Sequence, residues 1–390
     1  MRVIYMDNNA TTRVDEAVVE AMAPFFTELY GNASSMHTFG DRARKPVEKA
    51  REQVAALLNC HPTEIIFTSC GTESDNTAIR GTIEARPERR RIVTTRVEHP
   101  AVLGPFEHFK KRGYRSIYVG VDDQGLLNMD ELDEAINEDT ALVSAMWANN
   151  ETGVLFPVEQ IAQKAKAAGA VFHCDAVQAV GKIPIDLQKV PIDLMALSGH
   201  KLHAPKGVGV LYIRKGTKLS PLLIGGHQEF GKRAGTENVP YIVGLGKACE
   251  LAAKFMEDEN TRVKALRDRL ETALLATCPN SKRNGHKELR LPNTANISFE
   301  FVEGEAILLM MDRFGICASS GSACTSGSLE PSHVMRAMGV PFTAAHGSIR
   351  FSLSRYNTDG DVDLVIRELP PIIARLREIS PFGVSEPAAA

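Results

Sequence analysis

The chain lacks any Cys-x-x-Cys pair, and its seven cysteines are an odd number. Neither a disulfide framework nor a zinc site is indicated. Most of these thiols are expected to pack inside as small apolar residues. No apolar run is long enough to cross a bilayer. The start, Met1-Arg2-Val3-Ile4-Tyr5-Met6-Asp7, lacks the basic and apolar segments and cleavage site of a secretory leader. Charge of one sign is missing as well. Lys and Arg total 45 against 48 Asp and Glu, a formal net charge of -3. Neither a nucleic acid nor a membrane surface is expected as a partner. The one dense basic run, Arg86-Pro87-Glu88-Arg89-Arg90-Arg91, precedes an apolar segment and reads as a solvated loop. There is no internal repeat and no low-complexity block. A cytoplasmic protein is the simple expectation.

What is present is a regular alternation. At 390 residues the chain can bury a large core and is expected to form two domains. Strands are predicted at Glu64–Thr68, Arg91–Val97, Arg115–Val121, Ala141–Trp147, Ala170–Ala176, Asp193–Ser198 and Val208–Ile213. They are continuous apolar runs, as in strands buried on both faces. Helices are predicted between them, at Asp75–Ala85, Ala101–Arg112, Met129–Asn137 and Val158–Ala168. That order gives an α/β fold with a largely parallel sheet. The link before Val208–Ile213 is too short for a helix, so that strand should run antiparallel. From Tyr241 to Cys278 the pattern becomes helical, with Val263, Leu266, Leu270 and Leu274 on one face. Strands Ala295–Phe301 and Ser348–Leu353, with helices Gly304–Phe314 and Asp359–Arg377, suggest a smaller α+β domain.

The polar residues collect where these strands end. Lys201 lies in Ser198-Gly199-His200-Lys201, between two apolar runs. Asp175 closes another run. A strand-flanked lysine can be a solvated hairpin tip, but with an aspartate at a neighbouring strand end it also suits pyridoxal phosphate. That cofactor needs an amine for a Schiff base and a carboxylate against its ring nitrogen. Ser69-Cys70-Gly71-Thr72-Glu73-Ser74 follows a strand and opens a helix. It can cradle a phosphate, or simply cap the helix with Thr72. His99 and Asn150 fall at the same predicted edge, where ligands of open α/β sheets bind. In the second domain, Ser319-Ser320-Gly321-Ser322-Ala323-Cys324-Thr325-Ser326-Gly327-Ser328 is a run of small residues around one thiol. It reads equally as a linker or as an arm that carries an atom away from a bound substrate. Arg350, within a strand, needs a partner, and a bidentate carboxylate is the natural one.

Together these segments resemble the cysteine desulfurases, pyridoxal-phosphate enzymes of fold type I (aspartate-aminotransferase-like). The resemblance runs from Tyr5-Met6-Asp7-Asn8-Asn9-Ala10-Thr11-Thr12 to Ser348-Ile349-Arg350-Phe351-Ser352-Leu353. Its most specific parts are Ser198-Gly199-His200-Lys201 and the long loop around Cys324. Ser69–Asp75 and Arg233-Ala234-Gly235-Thr236-Glu237-Asn238-Val239 look most like the nitrogenase-associated, NifS-type members.

The resemblance implies a division into residues 1–15, associated with the small domain, 16–255, the cofactor-binding domain, and 256–390, carrying the thiol loop. It implies that Lys201 holds the cofactor and moves the Cα proton. Asp175 would pair with the ring nitrogen, Gln178 with the ring hydroxyl, and His99 would stack on the ring and act as acid and base. Gly71, Thr72, Ser198 and His200 would hold the phosphate, with Thr236 reaching the phosphate of the other subunit of a homodimer. Asn150, beside the cofactor, and Arg350 would bind the substrate's carboxylate end. Cys324 would take sulfur from L-cysteine as a persulfide and pass it to an iron–sulfur scaffold protein. It is also the candidate for a transient iron–sulfur ligand shared with that scaffold. A selenocysteine lyase or an aminotransferase on the same fold, and a sulfur or cluster carrier with an inert Lys201, are the other readings of the residues.

Overall fold

The computed structural model describes residues 2–320 and 331–380. A short strand, β1 (Ile4–Tyr5), precedes the main sheet. That sheet is built from β2 (Ile65–Thr68), β3 (Arg91–Thr95), β4 (Arg115–Val119), β5 (Thr140–Ser144), β6 (Val171–Asp175), β7 (Leu194–Ser198) and β8 (Gly209–Ile213). Their spatial order is β2-β8-β7-β6-β5-β3-β4. Only β8 runs antiparallel to its neighbours, β2 and β7. A single 3₁₀ turn, Gly199–Lys201, occupies the β7–β8 link, which is indeed too short for an α-helix.

Alternate strand residues feed two apolar clusters, as the period of two requires. Ile65, Phe67, Val93, Val143 and Phe172 face one. Ile66, Ile92, Leu142 and Val171 face the other, under helices Gly71–Ala85 and Pro100–Lys110. Both faces are covered, which is why the strands read as unbroken apolar runs.

One helix departs from expectation. It begins at Gly71, four residues before the predicted Asp75. Thr72 is therefore not the cap: it lies in the first turn behind an extended Cys70 that makes no side-chain cap bond. Glu73 reaches back to the Ser69 amide at 2.8 Å instead. A side chain at position 71 would place its Cβ 2.9 Å from Val177 Cγ2, so the close approach requires glycine.

Helix Val239–Asp258 runs through a π-helical turn, Glu259–Val263, into helix Lys264–Thr277. Beyond it lie β9 (Ser281–Arg283), β10 (Thr294–Phe299), β11 (Ile316–Cys317), β12 (Ser319–Ser320) and β13 (Ser348–Ser352). These form an antiparallel sheet in the order β12-β13-β10-β9, while β1 pairs in parallel with β11. Ile4 and Met6 join Phe299, Phe351 and Val365 in a separate apolar core. Val334, Met335 and Met338 pack instead on the larger core, which brings the chain after residue 330 against the main sheet. Among the described residues no helix is long and apolar enough to cross a membrane.

Candidate active site

The parallel strands all end at one edge, and the segments that follow β2, β3, β5, β6 and β7 converge there on a cavity of about 430 Å³. Crevices at this edge are where open α/β sheets take ligands.

Lys201 closes the 3₁₀ turn after β7. Its Nζ donates to the carbonyls of Asn9 at 2.5 Å and Ala10 at 2.7 Å. Burial, with Arg350 adding to it, pushes its pKa down to about 8. A free amine is thus far more available than on an exposed lysine.

Asp175 ends β6 and is buried. One oxygen accepts from the Val177 amide at 2.9 Å, and it forms no ion pair among the described residues. Two further buried carboxylates stand nearby. Burial raises Asp75 well above the carboxylate range, and the charges of Asp175 and Glu98 raise it further. Burial pushes Glu98 up to about 8, although it accepts from Thr95 Oγ1 and the Met146 amide. Burial raises Asp175 too, but it alone of the three is drawn back by the basic side chains His99 and Lys201. Asp175, which lines the cavity, is thus the carboxylate of the three best placed to pair with a cation such as a protonated ring nitrogen.

His99 caps helix Pro100–Lys110. Its Nδ1 accepts from the Ala101 amide at 3.1 Å, so Nδ1 carries no proton and Nε2 remains for the cavity. Burial lowers its pKa, keeping the ring neutral. On the opposite wall, Ser198 Oγ is buried with no hydrogen-bond partner. Gly71 and Thr72 begin a helix beside it, where backbone N–H groups have no intrahelical acceptor. His200 bonds Thr11 Oγ1 at 3.1 Å and is held neutral, its pKa pushed down to about 4 by burial and then by Lys201. An orphaned hydroxyl at a helix N-terminus suits a phosphate. With the amine and the buried carboxylate, the donor set fits pyridoxal phosphate.

Gln178 and Asn150 also line the cavity. Arg350 lines it from β13, but not with the bidentate partner expected. One Nη donates to Asp7 at 2.7 Å, the other to the Asn150 carbonyl at 3.0 Å, and Nε is unpaired. Asp7 is 343 residues away in sequence, beyond the reach of a local pattern. Thr236 is not brought to the cavity. It is exposed and borders a separate hollow of about 110 Å³ with Ser69 and Arg233.

Cys324 lies outside the described residues. Ser320, just before the undescribed stretch, and His333, three residues after it, both line the cavity. Ser332 donates to Glu151 at 2.6 Å, and His333 Nε2 bonds the Glu98 carbonyl at 2.9 Å. Cys317, expected inside, is only half-buried, on the two-residue strand that pairs with β1. Cys60 and Cys70 are likewise half-buried, and only Cys174, Cys249 and Cys278 are buried among the described cysteines.

Sequence reasoning assigned no role to Asn9, Asp75, Glu98, Glu151, His333 or Cys70, all near or lining this cavity. Asn9, Cys70 and Asp75 stood inside segments that carried the resemblance. Glu98 sits beside His99. His333 had no signal beyond following the thiol loop.

Comparison with known proteins agrees with this arrangement. The aminotransferase class V family matches residues 4–365. Cysteine desulfurase 2 of Trichormus variabilis is 60% identical over 383 residues, covering 98% of this chain and 96% of that protein. Cysteine desulfurase NifS of Azotobacter vinelandii is 59% identical, covering 97% of this chain and 94% of its own. Among solved structures, a NifS-like protein superposes with a TM-score of 0.91 at 41% identity, covering 96% of this chain and all of that one. SspA in complex with cysteine has a TM-score of 0.80 at 33% identity, with 91% and 99% of the chains covered.

Proposed function

The chain belongs to the aminotransferase class V family and is a cysteine desulfurase, and from that premise we propose that it binds pyridoxal 5′-phosphate in the cavity under Lys201 and passes the sulfur of L-cysteine to Cys324. One observation carries the cofactor reading: the Lys201 amine, the buried Asp175 carboxylate and the unpartnered Ser198 hydroxyl line a single cavity. Bound there, the cofactor supplies an electron sink that lets the substrate's Cβ–S bond break.

The chain's own residues do the rest. Lys201 anchors the group and, once free, is the base that moves the proton at the substrate's Cα. Asp175 keeps a negative charge at the ring nitrogen, and His99 covers the ring face. Gly71, Thr72, Ser198 and His200 hold the phosphate, and Gln178 bonds the ring hydroxyl. Asn150 and Arg350 receive the substrate carboxylate. The Cys324 sulfur, as thiolate, bonds to the substrate sulfur while the Cβ–S bond breaks. Cβ retains that electron pair and takes up a proton. L-cysteine and a thiol thus become alanine and a persulfide. Another thiol can attack that persulfide, so the sulfur passes to an acceptor protein. We assign this delivery to iron–sulfur cluster assembly of the nitrogenase-associated kind, in the cytoplasm.

The test is absorbance with product analysis. The loaded protein should be yellow, borohydride should fix the cofactor to Lys201, and cysteine should yield alanine and, with reductant, sulfide. Reduction at another lysine, or turnover that needs a keto acid and releases no sulfide, contradicts the proposal.

Asp175→Asn should keep cofactor bound but lower turnover on the order of 100-fold, the scale of removing one preorganised electrostatic partner. Turnover near normal with saturating cofactor would place the ring nitrogen's partner elsewhere.

The exposed Thr236 fits a role across a two-fold axis. Segments near it in the fold carry exposed apolar side chains: Tyr30 is 69% exposed and Ile224 88%. Ser34 bonds Glu237, and Phe26 packs on Tyr241, so these segments adjoin. Such side chains call for a cover, and a second copy provides it. The protein should sediment as a dimer, and Thr236→Ala should retain cofactor less well in dialysis. A fully active monomer would defeat this assignment.

A further inference from the structure

Lys182, four residues after Gln178, is only 6% exposed. A buried ammonium ordinarily has a carboxylate beside it, yet Lys182 forms no ion pair among the described residues. Its Nζ donates instead to two amide oxygens, Gln178 Oε1 at 2.9 Å and Asn9 Oδ1 at 3.4 Å. This is an arrangement with chemical consequences. A lysine ammonium only donates, so Gln178 must turn its oxygen toward Lys182 and its amide nitrogen away. One amide N–H then meets the Asn9 carbonyl at 2.9 Å. The second is left for the cavity that Gln178 lines.

Asn9 is fixed the same way. Its Oδ1 accepts from Lys182 and from Asn293, and its Nδ2 donates to Thr294 and to the Asn150 carbonyl. Its own carbonyl receives Lys201 Nζ. One buried lysine thus contacts two amides, Gln178 and Asn9, and Asn9 in turn touches Gln178, Asn150 and Lys201.

We propose that Lys182 is a positioning residue for the cofactor: by holding the oxygen of Gln178, it presents that side chain to the cavity as a hydrogen-bond donor suited to a ring oxygen. This rests on the reading of Gln178 as the ring-hydroxyl partner and names what orients it. Three charged groups act on Lys182 without forming an ion pair with it among the described residues. Lys201 and Arg350 repel it, Glu259 on the π-helical turn attracts it, and burial pushes its pKa down to about 7. His203 and Arg355 border the small hollow on its other side. The ammonium form, which has no acceptor, is the one that fixes the orientation of Gln178.

The test is a double-variant cycle read as pyridoxal 5′-phosphate affinity of the apoprotein. Lys182→Met keeps the volume and removes both hydrogen bonds. It should weaken binding roughly ten-fold, the scale of one lost hydrogen bond. Gln178→Met should weaken binding by itself, and the double variant should be no weaker than the worse single one. Lys182→Gln retains a donor, should fall between, and serves as the folded comparator if the methionine variant misfolds. Normal affinity in both Lys182 variants, with weakened Gln178→Met, removes the positioning role and leaves the Gln178 reading intact. Normal affinity in Gln178→Met removes that reading and the proposal with it. Additive losses also overturn the proposal, since Lys182 would then act independently of Gln178.

Discussion

Lys201→Ala is expected to lose the visible cofactor absorbance and cysteine turnover together. The reason is placement. Among the described residues Lys201 is the lysine that lines the cavity. Lys182 lies behind Gln178 and Asn9, with its amine engaged by both. No second amine is placed to anchor the cofactor. The wild-type protein should also show a pH signature. Burial and Arg350 bring Lys201 down to about 8 from an ordinary 10.5. The free amine is the reactive form, and it grows as pH rises toward that value. Near neutral pH it is roughly a few-hundred-fold more abundant than on an unperturbed lysine. Capture of pyridoxal 5′-phosphate by the apoprotein should therefore accelerate as pH rises and level off above about 8. A capture rate flat across neutral pH, or alanine formation at an appreciable rate by Lys201→Ala, would remove the lysine from its role.

Cys324→Ala should separate sulfur transfer from cofactor chemistry. It should keep the yellow cofactor and bind cysteine, since neither depends on the thiol. Persulfide should vanish, and sulfide released with added reductant should fall roughly 1000-fold or more, by analogy with deletion of other covalent nucleophiles. Two other thiols are the controls. Cys317 is half-buried on β11, and burial raises its pKa, with Asp312 and Asp7 adding to the shift. It stays a thiol rather than a nucleophilic thiolate. Cys70 does line the cavity. Single alanine variants of both should retain most sulfide release. If Cys70→Ala or Cys317→Ala abolished it and Cys324→Ala did not, the acceptor would be misassigned.

The sheet was legible because its strands are buried on both faces, so each appears as an unbroken apolar run. The antiparallel β8 was legible from the short link before it. The strand ends at Asp175 and Ser198 were legible because polar residues there interrupt apolar runs. Other features were hidden for physical reasons. The close approach of Gly71 to Val177, a hundred residues on, is a tertiary contact that local propensity does not record. The pairing of Arg350 with Asp7 joins opposite ends of the chain. The raised pKa values of Asp75 and Glu98 arise only once both carboxylates are buried beside Asp175. Lys182 looks like any surface lysine in the sequence; only the fold buries it. Thr236 makes no side-chain hydrogen bond among the described residues, so its role was suggested only through the resemblance.

The most direct measurement is to locate the sulfur itself. The loaded protein is mixed with L-cysteine without reductant, alanine is quantified, and the cysteine peptides are weighed by mass spectrometry. The peptide containing Cys324 should gain one sulfur atom, in step with one alanine per site. Alanine formed with no added sulfur on Cys324, or with the sulfur found on Cys70 or Cys317, would contradict sulfur transfer through Cys324.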